Sequence, residues 1–233
     1  MPRQARCRPN RPSSPGATGA RSAPPPQVVT APPNYIVVHH TAAPNSTDYS
    51  QAHAFALSRS IQDHHMDSNG WSDTGQQLTI SRGGYIMEGR NRSLEAVRRG
   101  EHVVGAHVAN HNSEAVGIEN DGTYTSEPPT GALWDSLVET VAWLVAQYGV
   151  SPANVVGHRA LGATECPGDR LYGVLDDLRA AVSAAVAEMG VSDSDLRTTP
   201  LPPSPGAPEN EPEQEFYHGP ALGVRDPNDE EEG

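Results

Sequence analysis

Val155 to Asp169 reads Val-Val-Gly-His-Arg-Ala-Leu-Gly-Ala-Thr-Glu-Cys-Pro-Gly-Asp, and no other stretch restricts the fold as much. A short β-branched run delivers His158. A seven-residue, glycine-containing connection comes next, and then Cys166, with Pro167 and Gly168 making a turn. A strand end carrying one imidazole, joined by a tight loop to one thiol, aims two soft donors at one point. Zinc accepts imidazole nitrogen and thiolate sulfur together, and a catalytic zinc needs only three protein ligands. The third must come from elsewhere in the chain.

Strand ends are where to look, because ligands of open α/β sheets gather at the carboxyl ends of strands. Asn34 to His40 is a strand by its aromatic and β-branched content, too apolar on both faces for an edge. It ends in His39 and His40. Alternation sends the two imidazoles to opposite sides, so one can face a site and the other the packing.

The remaining elements alternate. Asp48 is placed to cap a helix running to about Met66, with Ala54, Leu57, Ile61 and His65 on one face. Gln77–Ser81 and Tyr85–Met87 read as a hairpin around Arg82-Gly83-Gly84. Val103-Val104 is a short buried stretch, and Val116–Glu119 is a further strand. Leu133–Tyr148 carries the strongest apolar face, and Val155–Gly157 is the next strand. A last helix is predicted from about Arg170 to Met189, with Leu171, Val174, Leu175, Leu178, Val182 and Val186 inward. The pattern predicts an α/β fold in a single domain: a mixed central β-sheet flanked by about three main helices. Residues 34–190 form that domain. Residues 1–33 read as a disordered Pro/Arg-rich leader and residues 191–233 as a disordered acidic tail.

Charge narrows the function. Of the net −13, the leader contributes +5 and the tail −9, which leaves −9 for residues 34–190. An acidic middle argues against a nucleic-acid-binding module. The chain contains no lysine, so no mechanism here uses a lysine ammonium. Two cysteines, one of them in the leader, make no disulfide framework. No run of 18 apolar residues offers a membrane span, and the N-terminus has positive charge without the apolar stretch of a signal peptide.

Several motifs together resemble one family. Val38-His39-His40-Thr41, Trp71-Ser72-Asp73-Thr74-Gly75, Gly84-Tyr85 with Glu88-Gly89-Arg90, Gly105-Ala106-His107, Gly117-Ile118-Glu119-Asn120, Gly157-His158 and Thr164-Glu165-Cys166-Pro167-Gly168 look like the zinc-dependent N-acetylmuramoyl-L-alanine amidases. That family includes phage amidase lysozymes and peptidoglycan recognition proteins. The likeness covers residues 36–168 in the family's order. It implies one Zn²⁺ per domain held by His39, His158 and Cys166, and cleavage of the amide between the muramic lactyl group and L-Ala. The implied partner is peptidoglycan or a soluble muropeptide. That substrate favours the cell wall as the place of action, and a monomer is expected.

The chemistry stands beside the resemblance. Two neutral imidazoles and one thiolate leave the zinc a net charge of about +1, with a fourth position open for a water whose pKa the metal lowers to about 7. A carboxylate is still needed to take that proton and pass it to the leaving amine. Glu119, at the end of a strand, is the candidate, and it matches the catalytic glutamate of one branch of the family. The bland alternative is a sheet-edge carboxylate paired with an arginine. Another branch carries a tyrosine after Asp-x-Gly. Here Gln76 comes after Gly75; it cannot serve as an acid or base, though its amide can donate to an oxyanion. Where some relatives have lysine two residues before the last ligand, this chain has Thr164. That residue either donates to the oxyanion or orders its own loop. His107, Arg159 and Gln76 are candidate substrate contacts, and pairing with an acid is the other reading of Arg159. His64, His65, His102 and His111 fall outside the ligand set. Cys166 has two rival readings, a nucleophile with a histidine base and a buried small residue. The different-class alternative is a non-catalytic peptidoglycan-binding module.

Overall fold

The computed structural model describes residues 23–203. Its elements, in chain order, are β1 (Val28–Val29), β2 (Tyr35–His40), α1 (Gln51–Asp63), β3 (Leu78–Ile80), β4 (Ile86–Glu88), α2 (Ser93–Val97), β5 (His102–Val103), β6 (Ala115–Asn120), α3 (Gly131–Tyr148), β7 (Val155–Gly157), α4 (Asp169–Tyr172) and α5 (Leu175–Glu188). Five strands form one mixed sheet in the order β4-β3-β6-β2-β7. Its pairs are parallel except the β3–β4 hairpin. β1 and β5 pair separately and antiparallel. Three long helices flank the sheet, as the apolar periodicity predicts. Among the described residues no helix is long and apolar enough to cross a membrane.

The two faces of the sheet are chemically unlike. Ile36 and Val38 of β2, Ile118 of β6 and Val155 of β7 enter the main core with Leu137, Val141 and Leu144 of α3 and Leu178 and Val182 of α5. The alternate residues Tyr35 and Val37 join Val108, Ala115, Val156 and Leu161 in a smaller cluster on the other face. Continuing that alternation, His39 emerges on the face of the small cluster. His40 lies on the side of the main core, its Nδ1 accepting the Tyr124 amide at 3.2 Å.

Helix ends differ from the sequence reading in two places. α1 is capped by Ser50, whose Oγ accepts the His53 amide, while Asp48 accepts the Ser50 amide one step earlier. Both residue types cap, and only the backbone geometry chooses between them. After Asp63 the helix widens into a π turn, His64–Ser68, before it stops. The last helix is two helices, broken at Gly173 and Val174. Leu171, Leu175 and Leu178 stay buried across the break, so the apolar spacing does not reveal it.

Ordered structure also runs past the expected bounds of 34 and 190. β1 pairs with β5. Beyond α5 the chain turns back as a strap: Arg197 and Val150 make a parallel bridge, and the Asn154 side chain exchanges two hydrogen bonds with the Thr199 backbone, at 2.6 and 2.9 Å. The Tyr35 hydroxyl donates to Pro200 O at 2.7 Å, and Arg197 Nη2 donates to Pro33 O at 2.6 Å. These non-local bonds carry no hydrophobic period, which is why composition alone reads the segment as tail. The leader and tail expectations for residues 1–22 and 204–233 lie outside the described residues. Asn154 is 1% exposed, and Asn154→Ala removes both bonds to the half-buried Thr199 backbone. A loss of about 1–3 kcal/mol is expected, read as a lower midpoint in urea unfolding with unchanged slope.

Candidate metal centre

Strand register assembles the site. His39 of β2 is the cross-strand partner of Glu119 on β6, and Glu119 is the partner of Thr79 on β3. On the other side of β2, Val38 is level with Gly157 of β7, so His158 comes one step on. Registered neighbours in a sheet point to the same face. Thr79, Glu119 and His39 therefore form one row across three strands, and His158, which opens the 3-10 turn just after β7, follows at its end. The 158–168 loop then returns Cys166 over the row.

The donor atoms of His39, His158 and Cys166 all lie within 4.8 Å of one another, and all three side chains are buried. Cys166 Sγ is 3.7 Å from His39 Nδ1. Metal–sulfur and metal–nitrogen bonds of zinc length at a tetrahedral angle would separate those atoms by about 3.6 Å. The imidazole rings of His39 and His158 are 4.5 Å apart at their centroids. Burial pushes His158 down to about 3, with the neighbouring His40 adding to the effect, so its imidazole is neutral and able to ligate. Sγ also accepts the His40 amide at 3.4 Å. The donor set fits a soft divalent metal with one position left open. His64, His65, His102 and His111 are not part of this cluster. His65 accepts the Gly75 amide and lies against Trp71. His102 sits between two backbone carbonyls, and His111 pairs with Glu114 at 2.6 Å.

Glu119 is fully buried, and desolvation alone holds its carboxyl well above the usual carboxylate range. Thr164 is half-buried at the lip of the loop. Its Oγ1 accepts the Cys166 amide at 3.2 Å, which is the loop-ordering bond, and its own hydrogen stays available to donate.

The three candidate substrate contacts each have protein partners. His107 is 0% exposed and lies against His39, its Nδ1 3.0 Å from His39 Nε2. The sequence could not reveal this, because its place is set by Gly105 and Gly117. A Cβ on Gly117 would come within 2.6 Å of the His107 ring, and one on Gly105 within 2.5 Å. Gln76 is 1% exposed. Its Nε2 donates to Thr79 Oγ1 at 2.9 Å, and its Oε1 is buried without a hydrogen-bond partner among the described residues. It braces the row from below. Arg159 is committed to the ligand loop: Nη1 meets Asp169 at 2.7 Å, Nη2 donates to Glu165 O, and the guanidinium lies 4.7 Å over the Tyr172 ring. Gly168 closes that loop at φ +83, with Tyr124 backbone atoms where a Cβ would sit, an arrangement open to glycine alone.

Known proteins share both the sequence pattern and the fold. A sequence profile of the family described as N-acetylmuramoyl-L-alanine amidase matches residues 29–169. The human protein named N-acetylmuramoyl-L-alanine amidase is 35% identical over 154 residues, 64% of this chain and 25% of that protein. Peptidoglycan-recognition protein LB of Drosophila melanogaster is 33% identical over 142 residues, 60% of this chain and 57% of that protein. The chain thus spans about a quarter to a little over half the length of these relatives. Among solved structures, wild-type Drosophila PGRP-LB superposes with a TM-score of 0.60 at 31% identity, covering 70% of this chain and 90% of that one. A human PGRP-Iβ C-terminal domain in complex with a glycosamyl muramyl pentapeptide gives 0.59 at 26% identity, covering 70% and 92%.

Proposed function

This chain belongs to the N-acetylmuramoyl-L-alanine amidase family, and from that premise we propose that it hydrolyses the amide between the muramic lactyl group and L-Ala of peptidoglycan or its fragments. The carrying observation is the convergence of His39, His158 and Cys166 on one point. Zinc is the metal these donors suit. When bound there it supplies an acidified water and polarises the scissile carbonyl.

The protein's own groups do the rest. His39 and His158 hold their rings as neutral donors, and Cys166 gives the negative charge. Glu119 stands beside His39 on the same face and takes a proton from the attacking water, then returns it to the L-Ala nitrogen as that leaves. Its raised affinity for a proton suits the second half of that cycle. A cation beside it opposes the desolvation and permits the first. The Thr164 hydroxyl, at the lip of the loop, donates towards the carbonyl oxygen as charge develops there. The domain that does this runs from Val28 to Pro200, with the strap as part of it.

A nucleophilic role for Cys166 is disfavoured by its burial and by a second imidazole that such chemistry does not need. A pure recognition module is the other reading, in keeping with neighbours solved with a glycosamyl muramyl pentapeptide or with tracheal cytotoxin. Mass spectrometry of digested peptidoglycan separates them. New L-Ala amino termini beside intact glycan are expected, abolished by a chelator and restored by zinc. Binding of muropeptide with no new termini would favour recognition, and cleavage that survives complete zinc removal would sink the metal mechanism.

A further inference from the structure

His107 is fully buried against His39 and occupies a place built for it. Two glycines from different segments clear the volume of its ring. Asn112 Oδ1 fixes its backbone by accepting the His107 and Val108 amides at 2.8 and 3.0 Å. The ring meets His39 edge to face, at 88° and 5.1 Å between centroids, with His107 Nδ1 3.0 Å from His39 Nε2. On its opposite side, His39 presents Nδ1 to Cys166 Sγ.

A neutral imidazole carries one proton, on one of two nitrogens. For His39 Nδ1 to serve as a metal ligand it must be bare, so the proton must sit on Nε2 and be donated. The only direction that permits this is His39 Nε2–H to His107 Nδ1, which in turn puts the His107 proton on its own Nε2. The reverse direction would place a proton on His39 Nδ1 and block ligation. We propose that His107 is a positioning residue that locks His39 in the Nε2–H tautomer and so keeps Nδ1 open for a divalent metal beside His158 and Cys166. It takes the place that a carboxylate or backbone carbonyl holds behind many metal-binding histidines. The inference rests on the metal reading of the site, and its test is arranged to fail separately.

Two measurements decide it. Long-range ¹H–¹⁵N correlation of the histidine rings in the metal-free full chain reads tautomers directly, and both His39 and His107 are expected as Nε2–H. An Nδ1–H form of His39 would overturn the proposal. Zinc affinity, by competition with a chromophoric chelator, is then compared among wild type, His107→Leu and His107→Asn, each confirmed folded by its thermal transition. Leucine fills the space without an acceptor, whereas the asparagine carbonyl can stand where Nδ1 stood. We expect His107→Leu to lose roughly 10–100-fold in zinc affinity and His107→Asn to recover most of it. Equal losses in both, or none in His107→Leu, would mean the ring is packing only. Wild-type protein that takes up no zinc would instead overturn the metal reading, and the tautomer measurement would still decide the His39–His107 arrangement.

Discussion

Cys166→Ala should strip the protein of zinc at micromolar metal and abolish release of L-Ala termini. The thiolate is one of only three donors and the only one carrying charge, so the two remaining imidazoles would hold the metal as a weak bidentate site. Partners that merely orient a metal-binding histidine are worth roughly 10–100-fold in affinity, and loss of a ligand should exceed that. The substitution also deletes the acceptor for the His40 amide, at a cost of about 1 kcal/mol. The folded state should survive this, as a modest shift of the thermal transition would show. The measurement is metal content after dialysis, with activity alongside. Activity retained in the alanine protein would remove Cys166 from the mechanism. A thiol-alkylating reagent that inhibits the enzyme while chelators do not would restore the nucleophile reading.

Glu119→Gln should have the opposite signature, with zinc bound as in wild type and turnover lost. The amide has nearly the shape of the carboxyl but cannot shuttle a proton. General acid–base catalysis contributes about 10²–10⁴-fold, and a fall in kcat of that order with little change in KM is expected. Stability should not suffer. Burial disfavours the charged form of Glu119, and the neutral amide avoids that cost when the metal is absent. Unchanged kcat would exclude Glu119 as the proton carrier. A parallel loss of metal would move it from chemistry to site assembly.

The three donors that cluster were legible in the sequence through the family resemblance and because each ends a recognisable local pattern: His39 after Ile36-Val37-Val38, His158 after Val155-Val156-Gly157, and Cys166 before a Pro-Gly turn. The sheet and the long helices were legible for the same reason, from apolar periods of two and of three to four residues. Features that stayed hidden depend on groups far apart in the chain. The burial of His107 comes from missing side chains at Gly105 and Gly117, and an absent atom leaves no periodic trace. Gln76 stands directly after Asp73-Thr74-Gly75, where another branch of the family carries a tyrosine, and reads from that place as a candidate substrate contact. Its actual work, holding Thr79 beside Glu119, needs the register of β3 on β6. The strap from Val191 to Pro200 is polar and proline-rich, and it is held by carbonyl and amide contacts to Pro33, Tyr35, Gly149 and Asn154 that no local pattern encodes.

That strap brings Arg197 onto Pro33 and Pro200 onto Tyr35, at the start of β2, whereas His39 lies four residues further along the strand, roughly 13 Å away. The strap and the lead-in to β2 are thus neighbours at the end of the strand remote from the His39 row. The strap works as a clasp: it ties the chain after α5 to the start of the central strand without covering the carboxyl end where the donors cluster.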